Sequence, residues 1–206
     1  ELAGEIESAG RDARRFKEGD QVFAATGFVG MGACAEYICL PEEPEGGALA
    51  IMPANMSYEE ASAVPMGGLE ALCFLRQGDI RSRRKVLING AGGTVGPFAV
   101  QLAKYFGAEV TGVDSAEKLE MLRSIGADRV IDYTRLDFTK CDETYDLILD
   151  VVGRSSFSGS IRSLKQNGCY LIPNPRLTVR ARRASRTGGR EVVFGAAHPR
   201  TEDLVF

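Results

Sequence analysis

The feature that most constrains this sequence is the stretch from Lys85 to Gly96, where an apolar run meets a cluster of glycines and then apolar residues at helical spacing. Residues 86–88 suit a strand that is buried on both faces, as in a parallel sheet covered by helices. From Thr94 the apolar residues recur every three or four positions, and Gly107 is placed to end a helix. The sequence therefore predicts a strand, a tight turn and a helix in direct succession.

The turn, residues 91–96, has the pattern A-x-G-x-x-G. In such turns the first small residue permits the tight bend, Gly93 lets the backbone approach a pyrophosphate, and Gly96 lets the helix pack close to the strand. Free N–H groups at the helix start and the positive end of the helix dipole would supply an anion site. We therefore expect a pyrophosphate on Gly92, Gly93, Thr94 and Val95, with the last two donating backbone N–H groups.

A second apolar run favours a dinucleotide over a purely structural turn. Residues 108–113 lead into Asp114, about twenty residues beyond the turn, where this fingerprint has the acid that binds the adenosine ribose. A glycine turn in an α/β domain that binds no nucleotide is the alternative. The turn and Asp114 together favour dinucleotide binding.

The chain after the turn alternates between strand and helix patterns, which predicts a doubly wound parallel Rossmann sheet with helices on both faces. Ligands of such sheets bind beyond the carboxyl ends of the strands, where Gly93, Asp114, Tyr133 and Val152 fall. The predicted elements are helices at 116–124 and 155–164, strands at 108–114, 129–132, 145–152, 169–172 and 191–196, and a turn at Asn167-Gly168.

Residues 1–65 have a different pattern from residues 66–206, which we assign to the Rossmann domain. The first part has many turns and short strand candidates near residues 1–10, after Gly19-Asp20 and at 32–40, followed by a polar loop at 41–47. Such a pattern predicts part of an all-β unit. The S-x-x-E sequence at Ser57 predicts a capped helix start, and Pro65 should interrupt that helix before it continues to Gly78.

Composition excludes several classes of function. The formal net charge of −3 gives no reason to expect a nucleic-acid partner, although six arginines lie between Arg176 and Arg190. No aromatic residues are interleaved with these arginines, so a solvated basic face is favoured over a nucleic-acid site. No apolar run has the length of a membrane span, and the N-terminus lacks a signal layout. We expect a cytoplasmic protein without a membrane partner.

The cysteines and the single histidine argue against a metal site. The five cysteines fall at no metal-ligand spacing, and His198 is the only histidine. We therefore expect reduced thiols and no zinc. The same scarcity leaves no Ser-His-Asp or Cys-His arrangement, so no catalytic residue is assigned from the sequence.

Several stretches together resemble the medium-chain dehydrogenase/reductase superfamily, in particular its zinc-independent quinone oxidoreductase (zeta-crystallin-like) branch. The resemblance spans nearly the whole chain and depends on the order and spacing of its pieces. It implies that residues 1–65 form part of a GroES-like catalytic domain and that segments at both ends of an intact member are absent. The pieces are ELAGEI at 1–6, FKEGDQV at 16–22, GGLEAL at 67–72, the glycine turn with VQLAK at 100–104, and SIGADRVIDY at 124–133.

Three positions depart from the pattern of that branch. Met66 stands where zinc-dependent relatives have a metal ligand, and a thioether is a poor zinc ligand. Glu70 replaces the usual threonine, and Pro173-Asn174-Pro175 replaces a strand end that is usually followed by glycine. The nicotinamide end of the site is therefore less well defined by the sequence than the pyrophosphate turn.

The resemblance implies hydride transfer from a nicotinamide cofactor to a small-molecule electron acceptor, such as a quinone or an α,β-unsaturated carbonyl compound. One alternative is a zinc alcohol dehydrogenase whose ligands lie in a missing segment, and another is a nucleotide-binding fragment without catalysis. We also expect a homo-oligomer, with the strand at 191–196 as an edge that a second subunit could pair with.

The sequence gives conflicting indications about which dinucleotide is bound. Asp114 can accept hydrogen bonds from both ribose hydroxyls, which favours NAD(H). Ser115 is a good N-cap, so Lys118 falls in the first helical turn, where a cation is unfavourable unless an anion binds there. In quinone oxidoreductase relatives the lysine and tyrosine that align with Lys118 and Tyr133 hold the 2′-phosphate. The sequence therefore favours NADP(H), with NAD(H) possible; a solvent-facing Lys118 and a Tyr133 that merely ends a strand are the alternative.

Overall fold

The computed structural model describes residues 1–27, 33–44, 47–173, 186–195 and 200–206. The chain divides into two compact units, one formed by residues 1–69 with 198–206 and the other by residues 70–197. Compared with the boundary expected after residue 65, the division lies at residue 69 and the end of the chain belongs to the first unit. The described part of that end, residues 200–206, contains helix α6 (Thr201–Leu204), whose Leu204 packs against Ala25, Ala48 and Leu69 of the same unit.

The first unit contains a small antiparallel sheet, as the sequence predicts. Its strands are β1 (Leu2–Glu5), β2 (Gln21–Ala25) and β3 (Ala48–Ile51), in the order β1-β2-β3. The central strand β2 is buried from Val22 onward, because one neighbour pairs with each of its edges. Its Phe23 packs with Ala50, Met52 and Ala61 in the core of this unit.

One strand predicted for this unit is absent among its described residues, and one observed strand was not predicted. Residues 33–40 form turns and irregular backbone instead of a strand; Gly32 lies outside the described residues. Tyr37 and Ile38 are exposed, so this segment has no buried face that would hold it as a strand. The strand that pairs with the other edge of β2, opposite β1, is β3, whose short apolar run Ala48 to Ile51 directly follows the polar loop.

The helices around residue 60 start and end as the sequence predicts. Helix α1 (Tyr58–Ser62) has the expected capping box: the N–H of Glu60 donates to the hydroxyl of Ser57 at 3.2 Å, and the N–H of Ser57 donates to the carboxylate of Glu60 at 2.9 Å. Helix α2 (Pro65–Gln77) begins at the proline, which is tolerated at the first helical position because its missing N–H would have no partner there.

The second unit is a doubly wound Rossmann sheet, which confirms the predicted fold class. Six strands are parallel, and a seventh, two-residue strand pairs antiparallel with the last of them. The order is β6-β5-β4-β7-β8-β10-β9, so the strand order reverses between β4 and β7. The strands are β4 (Lys85–Asn89), β5 (Glu109–Asp114), β6 (Arg129–Asp132), β7 (Tyr145–Asp150), β8 (Leu164–Ile172), β9 (Arg186–Thr187) and β10 (Arg190–Phe194).

Successive residues of the central strands pack into two different apolar clusters. Val86 and Ile88 face a cluster that includes α2, α3 (Gly96–Tyr105) and α4 (Leu119–Ser124), whereas Leu87 faces a cluster that includes α5 (Phe157–Arg162). Because side chains alternate across a strand, both faces of the sheet are covered and the strands are apolar throughout. Among the described residues, no helix combines the length and the apolar character that a bilayer crossing needs.

The predicted helix ends in this unit are partly correct. Gly107 and Gly126 follow α3 and α4 with φ values of +78° and +110°, as expected of glycines that end helices. The predicted helix from Thr94 begins at Gly96, and a 3₁₀ turn at residues 116–118 precedes α4. The predicted helix at 155–164 is shorter, because Ser156 caps its start and β8 begins at Leu164.

The predicted strand ends also need correction. The predicted strand 145–152 ends at Asp150, and the turn at Asn167-Gly168 lies inside β8, where Asn167 has a φ of +63°. Strand 191–196 is observed as β10, but β9 pairs with its start, so β10 is not a free edge at those positions. Several residues that belong to features predicted from the sequence lie outside the described residues: Asn174, Pro175, Arg176, Arg180, Arg182, Arg183, Ala196 and His198.

Candidate functional site

A cavity of about 570 Å³ opens at the carboxyl ends of β4, β5, β6 and β7. This is the edge at which the strand order reverses, the usual ligand position in open α/β sheets. Five of the nine predicted site residues line it: Gly93, Asp114, Lys118, Tyr133 and Val152. The other lining residues are Asn89, Gly90, Val113, Leu136, Asp137, Phe138, Val151, Arg154, Ser155 and Ser156.

The glycine turn is held against the end of β5 by its own backbone. The N–H groups of Gly90 and Ala91 donate to the carbonyl of Val113 at 3.0 and 3.1 Å. A Cβ atom on Gly96 would overlap the carbonyl group of Ala91, so the helix can begin this close to the turn only with glycine there. A Cβ atom on Gly93 would have only the carbonyl oxygen of Gly90 nearby, at 3.5 Å. The space beside Gly93 is therefore open to a ligand.

The start of α3 presents unused hydrogen-bond donors. Within the described part of the chain, the N–H groups of Thr94 and Val95 donate to no other protein group, as is usual before the first turn of a helix. The helix is ten residues long, and its dipole adds positive potential at this end. Thr94 and Val95 are not part of the cavity wall, but they directly follow Gly93, which is. The arrangement can bind an anion beside the cavity.

Asp114, Gly92, Ser115 and Lys118 form one hydrogen-bonded group. One carboxylate oxygen of Asp114 accepts from the N–H of Gly92 at 2.7 Å, and the other accepts from the N–H of Ser115 at 2.8 Å. The ammonium of Lys118 donates to the carbonyl of Gly92 at 2.9 Å and lies 3.8 Å from Asp114. Ser115 occupies the N-cap position as expected, but its hydroxyl does not cap the helical turn. The structure thus brings four predicted residues together at the turn.

A second wall of the cavity is formed by the segment after β6. It includes Leu136, Asp137 and Phe138, which were not predicted from the sequence as site residues. Tyr133 is 60% exposed, and its N–H donates to the carbonyl of Asp114 at 3.2 Å. Asp137 accepts from the hydroxyl and N–H of Thr139, and these hydrogen bonds lower the pKa of Asp137. The D-x-T sequence at 137–139 is a local turn signal that could have indicated a short helical turn here.

The loop after β7 forms the third wall, and a buried carboxylate lies behind it. Asp150 is fully buried and accepts hydrogen bonds from Asn89, Gly153, Ser155 and Tyr170. Burial and the negative charge of Asp150 raise the pKa of Tyr170, which therefore stays protonated. An acid directly after the apolar run 147–149 was the signal for this group in the sequence.

The described residues contain no group of three or more histidine, cysteine, aspartate or glutamate side chains arranged to hold a metal ion. Burial raises the pKa of Cys169 to about 12, so this thiol is not a nucleophile at neutral pH. Met66 is 43% exposed. The expectation that no zinc is bound remains a prediction.

Comparison with known proteins supports the Rossmann-like fold described above. A family described as zinc-binding dehydrogenase matches residues 94–173, from the end of the turn to just past β8. The structure of the quinone oxidoreductase from Coxiella burnetii superposes on 98% of this chain with a TM-score of 0.88 at 28% identity, and 63% of that chain is covered. These matches support the resemblance of this chain to the medium-chain dehydrogenase/reductase superfamily and to its quinone oxidoreductase-like branch.

Two curated proteins have sequences similar to this chain. The chain is 33% identical over 180 residues to the 2-methylene-furan-3-one reductase of Solanum lycopersicum, covering 84% of this chain and 45% of the relative. It is 32% identical over 177 residues to the chloroplastic NADPH-dependent alkenal/one oxidoreductase of Arabidopsis thaliana, covering 82% and 44%. The chain thus spans less than half the length of these two relatives.

Proposed function

We propose that this protein is an NAD(P)H-dependent oxidoreductase that transfers a hydride to a quinone or to an α,β-unsaturated carbonyl compound. The observation that carries the proposal is the pair of unused N–H donors at Thr94 and Val95, beside a cavity at the point where the strand order reverses. The relatives named above are a quinone oxidoreductase, a furanone reductase and an alkenal/one oxidoreductase, which supports these acceptor classes.

The residues around the turn fit a dinucleotide. Gly93 leaves the space that a pyrophosphate needs, and Thr94 and Val95 would donate to its oxygens. Asp114 lies where the adenosine ribose would bind, and the loop after β7 would cover the dinucleotide from the other side of the cavity. When bound, the nicotinamide supplies the hydride. The residues of this chain then have to bind and orient the dinucleotide and to limit access of water.

NADP(H) is the favoured cofactor. The carboxylate of Asp114 already accepts two backbone hydrogen bonds, so it is less available to the ribose hydroxyls than its position in the sequence suggests. Lys118 and Tyr133 both line the cavity next to it, and the ammonium and phenol groups suit the oxygens of a 2′-phosphate. The relative from Arabidopsis thaliana is named as NADPH-dependent. NAD(H) would compete if the carboxylate of Asp114 turned toward the ribose.

We further propose that the reaction needs no zinc. A thioether at Met66 and the absence of a metal-ligand group among the described residues support this. The alternative is the zinc-dependent chemistry suggested by the name of the matching family. Elemental analysis of the purified protein, with activity measured before and after chelation, distinguishes the two. Stoichiometric zinc whose removal abolishes turnover would contradict the proposal.

The proposed function is tested by following NADPH and NADH oxidation at 340 nm with 1,4-benzoquinone and with an α,β-unsaturated ketone as acceptors. We expect turnover that depends on both cofactor and acceptor. Binding of NADPH in calorimetry without turnover would instead support a nucleotide-binding protein without catalysis. Absence of both binding and turnover would contradict the proposal.

A further inference from the structure

Asp150 is anchored by donors from three parts of the Rossmann unit. Its first carboxylate oxygen accepts from the side-chain amide of Asn89 on β4 at 2.8 Å and from the N–H of Gly153 at 2.7 Å. Its second accepts from the hydroxyl of Tyr170 on β8 at 2.7 Å and from the hydroxyl of Ser155. The carboxylate therefore ties the carboxyl ends of three adjacent strands to the loop that follows β7.

The loop in question, residues 151–156, forms one wall of the cavity. Five of its six residues line the cavity, and the sixth, Gly153, donates to Asp150. Gly153 has a φ of +63°, which lets the loop turn back toward the strand end and is accessible to glycine at little cost. Asp150 lies behind this wall and is not among the lining residues. Its contact with the cavity is therefore indirect, through the loop and through Asn89, which lines the cavity and donates to Asp150.

The hydroxyl groups of Ser155 and Tyr170 both act as donors to Asp150. Ser160 on α5 donates to the hydroxyl of Ser155 at 3.2 Å, and Ser155 in turn donates to Asp150. Tyr170 remains a donor because burial and the neighbouring carboxylate keep its phenol protonated. Every group around Asp150 thus points a proton at it, as a buried carboxylate requires.

The other acid on β7 shows that a structural role alone does not need this arrangement. Asp146 lies near the amino end of the same strand, where it accepts from the ammonium of Lys165 at 2.7 Å and from the N–H of Lys85 at 2.8 Å. It is partly exposed and touches no loop of the cavity. The same strand thus carries one acid in an ordinary ion pair and one that organises a cavity wall.

We propose that Asp150 is a positioning residue for the nicotinamide dinucleotide, holding loop 151–156 in the conformation that binds it. This inference depends on the proposed function, because it requires that the dinucleotide binds in this cavity. Without the carboxylate, the donors of Gly153 and Ser155 lose their shared acceptor and the loop samples other conformations. Affinity then falls by the fraction of molecules in which the loop is correctly placed.

The test compares Asp150→Ala with Asp146→Ala, the same substitution at the two ends of one strand. NADPH affinity is measured by isothermal titration calorimetry at a temperature where circular dichroism shows each variant to be folded. If removing the carboxylate leaves the loop in its binding conformation in only about one molecule in ten, the Kd of Asp150→Ala for NADPH is about tenfold higher than that of the wild type. Asp146→Ala lowers the midpoint of thermal unfolding but changes the Kd by less than about twofold, since its contacts do not reach the cavity.

Two further variants keep the test decisive. Asp150→Asn should recover most of the affinity, because the amide can accept from Asn89 and Gly153 and donate to the two hydroxyls. If Asp150→Ala does not fold, Tyr170→Phe removes one donor without leaving a void and should still raise the Kd measurably. Wild-type affinity in Asp150→Ala, or in Tyr170→Phe where that variant is used, overturns the inference while the proposed function stands. Failure of the wild-type chain to bind NADPH or NADH overturns both.

Discussion

Acidic residues at the two ends of the Rossmann sheet have different kinds of hydrogen-bond partners. At the amino ends of the strands, acids are paired with cations: Glu143 contacts Lys85 and Arg129, and Asp128 contacts Lys104. At the carboxyl ends, Asp114 and Asp150 accept mainly from backbone N–H, amide and hydroxyl groups.

This difference separates the structural edge of the sheet from the binding edge. Ion pairs at the amino edge are partly exposed, and such pairs contribute little individually and mainly satisfy charges. Neutral donors at the carboxyl edge fix the carboxylates while the cations Lys118 and Arg154 remain on the cavity wall. Substitutions of residues that face the cavity at the carboxyl edge should therefore change binding more than stability, and those of the ion-paired residues at the amino edge should do the reverse.

The largest expected effect on binding comes from Gly93→Val. A branched side chain would fill the space that the pyrophosphate needs, yet it meets no protein atom closer than the Gly90 carbonyl oxygen at 3.5 Å from its Cβ. We expect NADPH affinity in calorimetry to fall roughly a hundredfold, about 2.8 kcal/mol, while the unfolding midpoint stays near that of the wild type. Unchanged affinity would show that the turn does not bind the pyrophosphate.

Gly96→Ala is the counterpart within the same turn and should act on the fold. Its Cβ atom would overlap backbone atoms of Ala91 and Gly90, which cannot move away as a flexible side chain can. We expect a loss of about 3 kcal/mol in urea unfolding, at the upper end for overpacked sites. A variant as stable as the wild type would mean that the start of α3 can shift, and that the turn is less constrained than its hydrogen bonds indicate.

A smaller effect is expected on cofactor choice from Lys118→Ala. Removing the ammonium beside the proposed phosphate position should lower the preference for NADPH over NADH by about tenfold, as expected for one charge-assisted contact of about 1.4 kcal/mol. Lys104→Ala, which removes a cation at the amino edge, is the matched control and should leave the preference unchanged. An equal ratio in wild type and Lys118→Ala would favour Asp114 as an NAD determinant.

The sequence predicts much of this binding edge because the relevant signals are local. The glycine turn, Asp114 and the alternation of strands and helices follow from spacing along the chain, and Gly93, Asp114 and Lys118 do lie together. Asp150 was missed because its role depends on Asn89 and Tyr170, which are distant in sequence and become neighbours only when β4, β7 and β8 pair.

The misplaced strand in the first unit has a similar cause. Residues 33–40 have strand-like composition, but a strand needs a pairing neighbour and a face to bury, and Ala48–Ile51 occupies the place beside β2. Which of two segments pairs with the edge of β2 depends on tertiary packing, and no local sequence pattern indicates it.

The smallest expected effect concerns pH and the amino edge. Burial opposes ionisation of Asp128, but hydrogen bonds from Lys104 and the N–H of Val110 outweigh it, so its pKa lies below the ordinary value of 3.8. A lowered folded-state pKa stabilises the protein above pH 3.8, and this stabilisation is lost as the pH falls through the folded value. Asp128→Asn should therefore be slightly less stable than the wild type in urea at pH 7, with a smaller difference at pH 3. A difference that grows on acidification would contradict this assignment.

The most direct test of dinucleotide binding at the carboxyl edge is to titrate the ¹⁵N-labelled chain with NADPH and to follow its backbone amide resonances. We expect saturable shifts at Gly93, Thr94 and Val95 and in loop 151–156, with the amides of Glu143 and Lys165 at the opposite edge unaffected. Shifts confined to the amino edge, or a spectrum unchanged by saturating NADPH and NADH, would contradict the claim that the carboxyl edge of this sheet binds a nicotinamide dinucleotide.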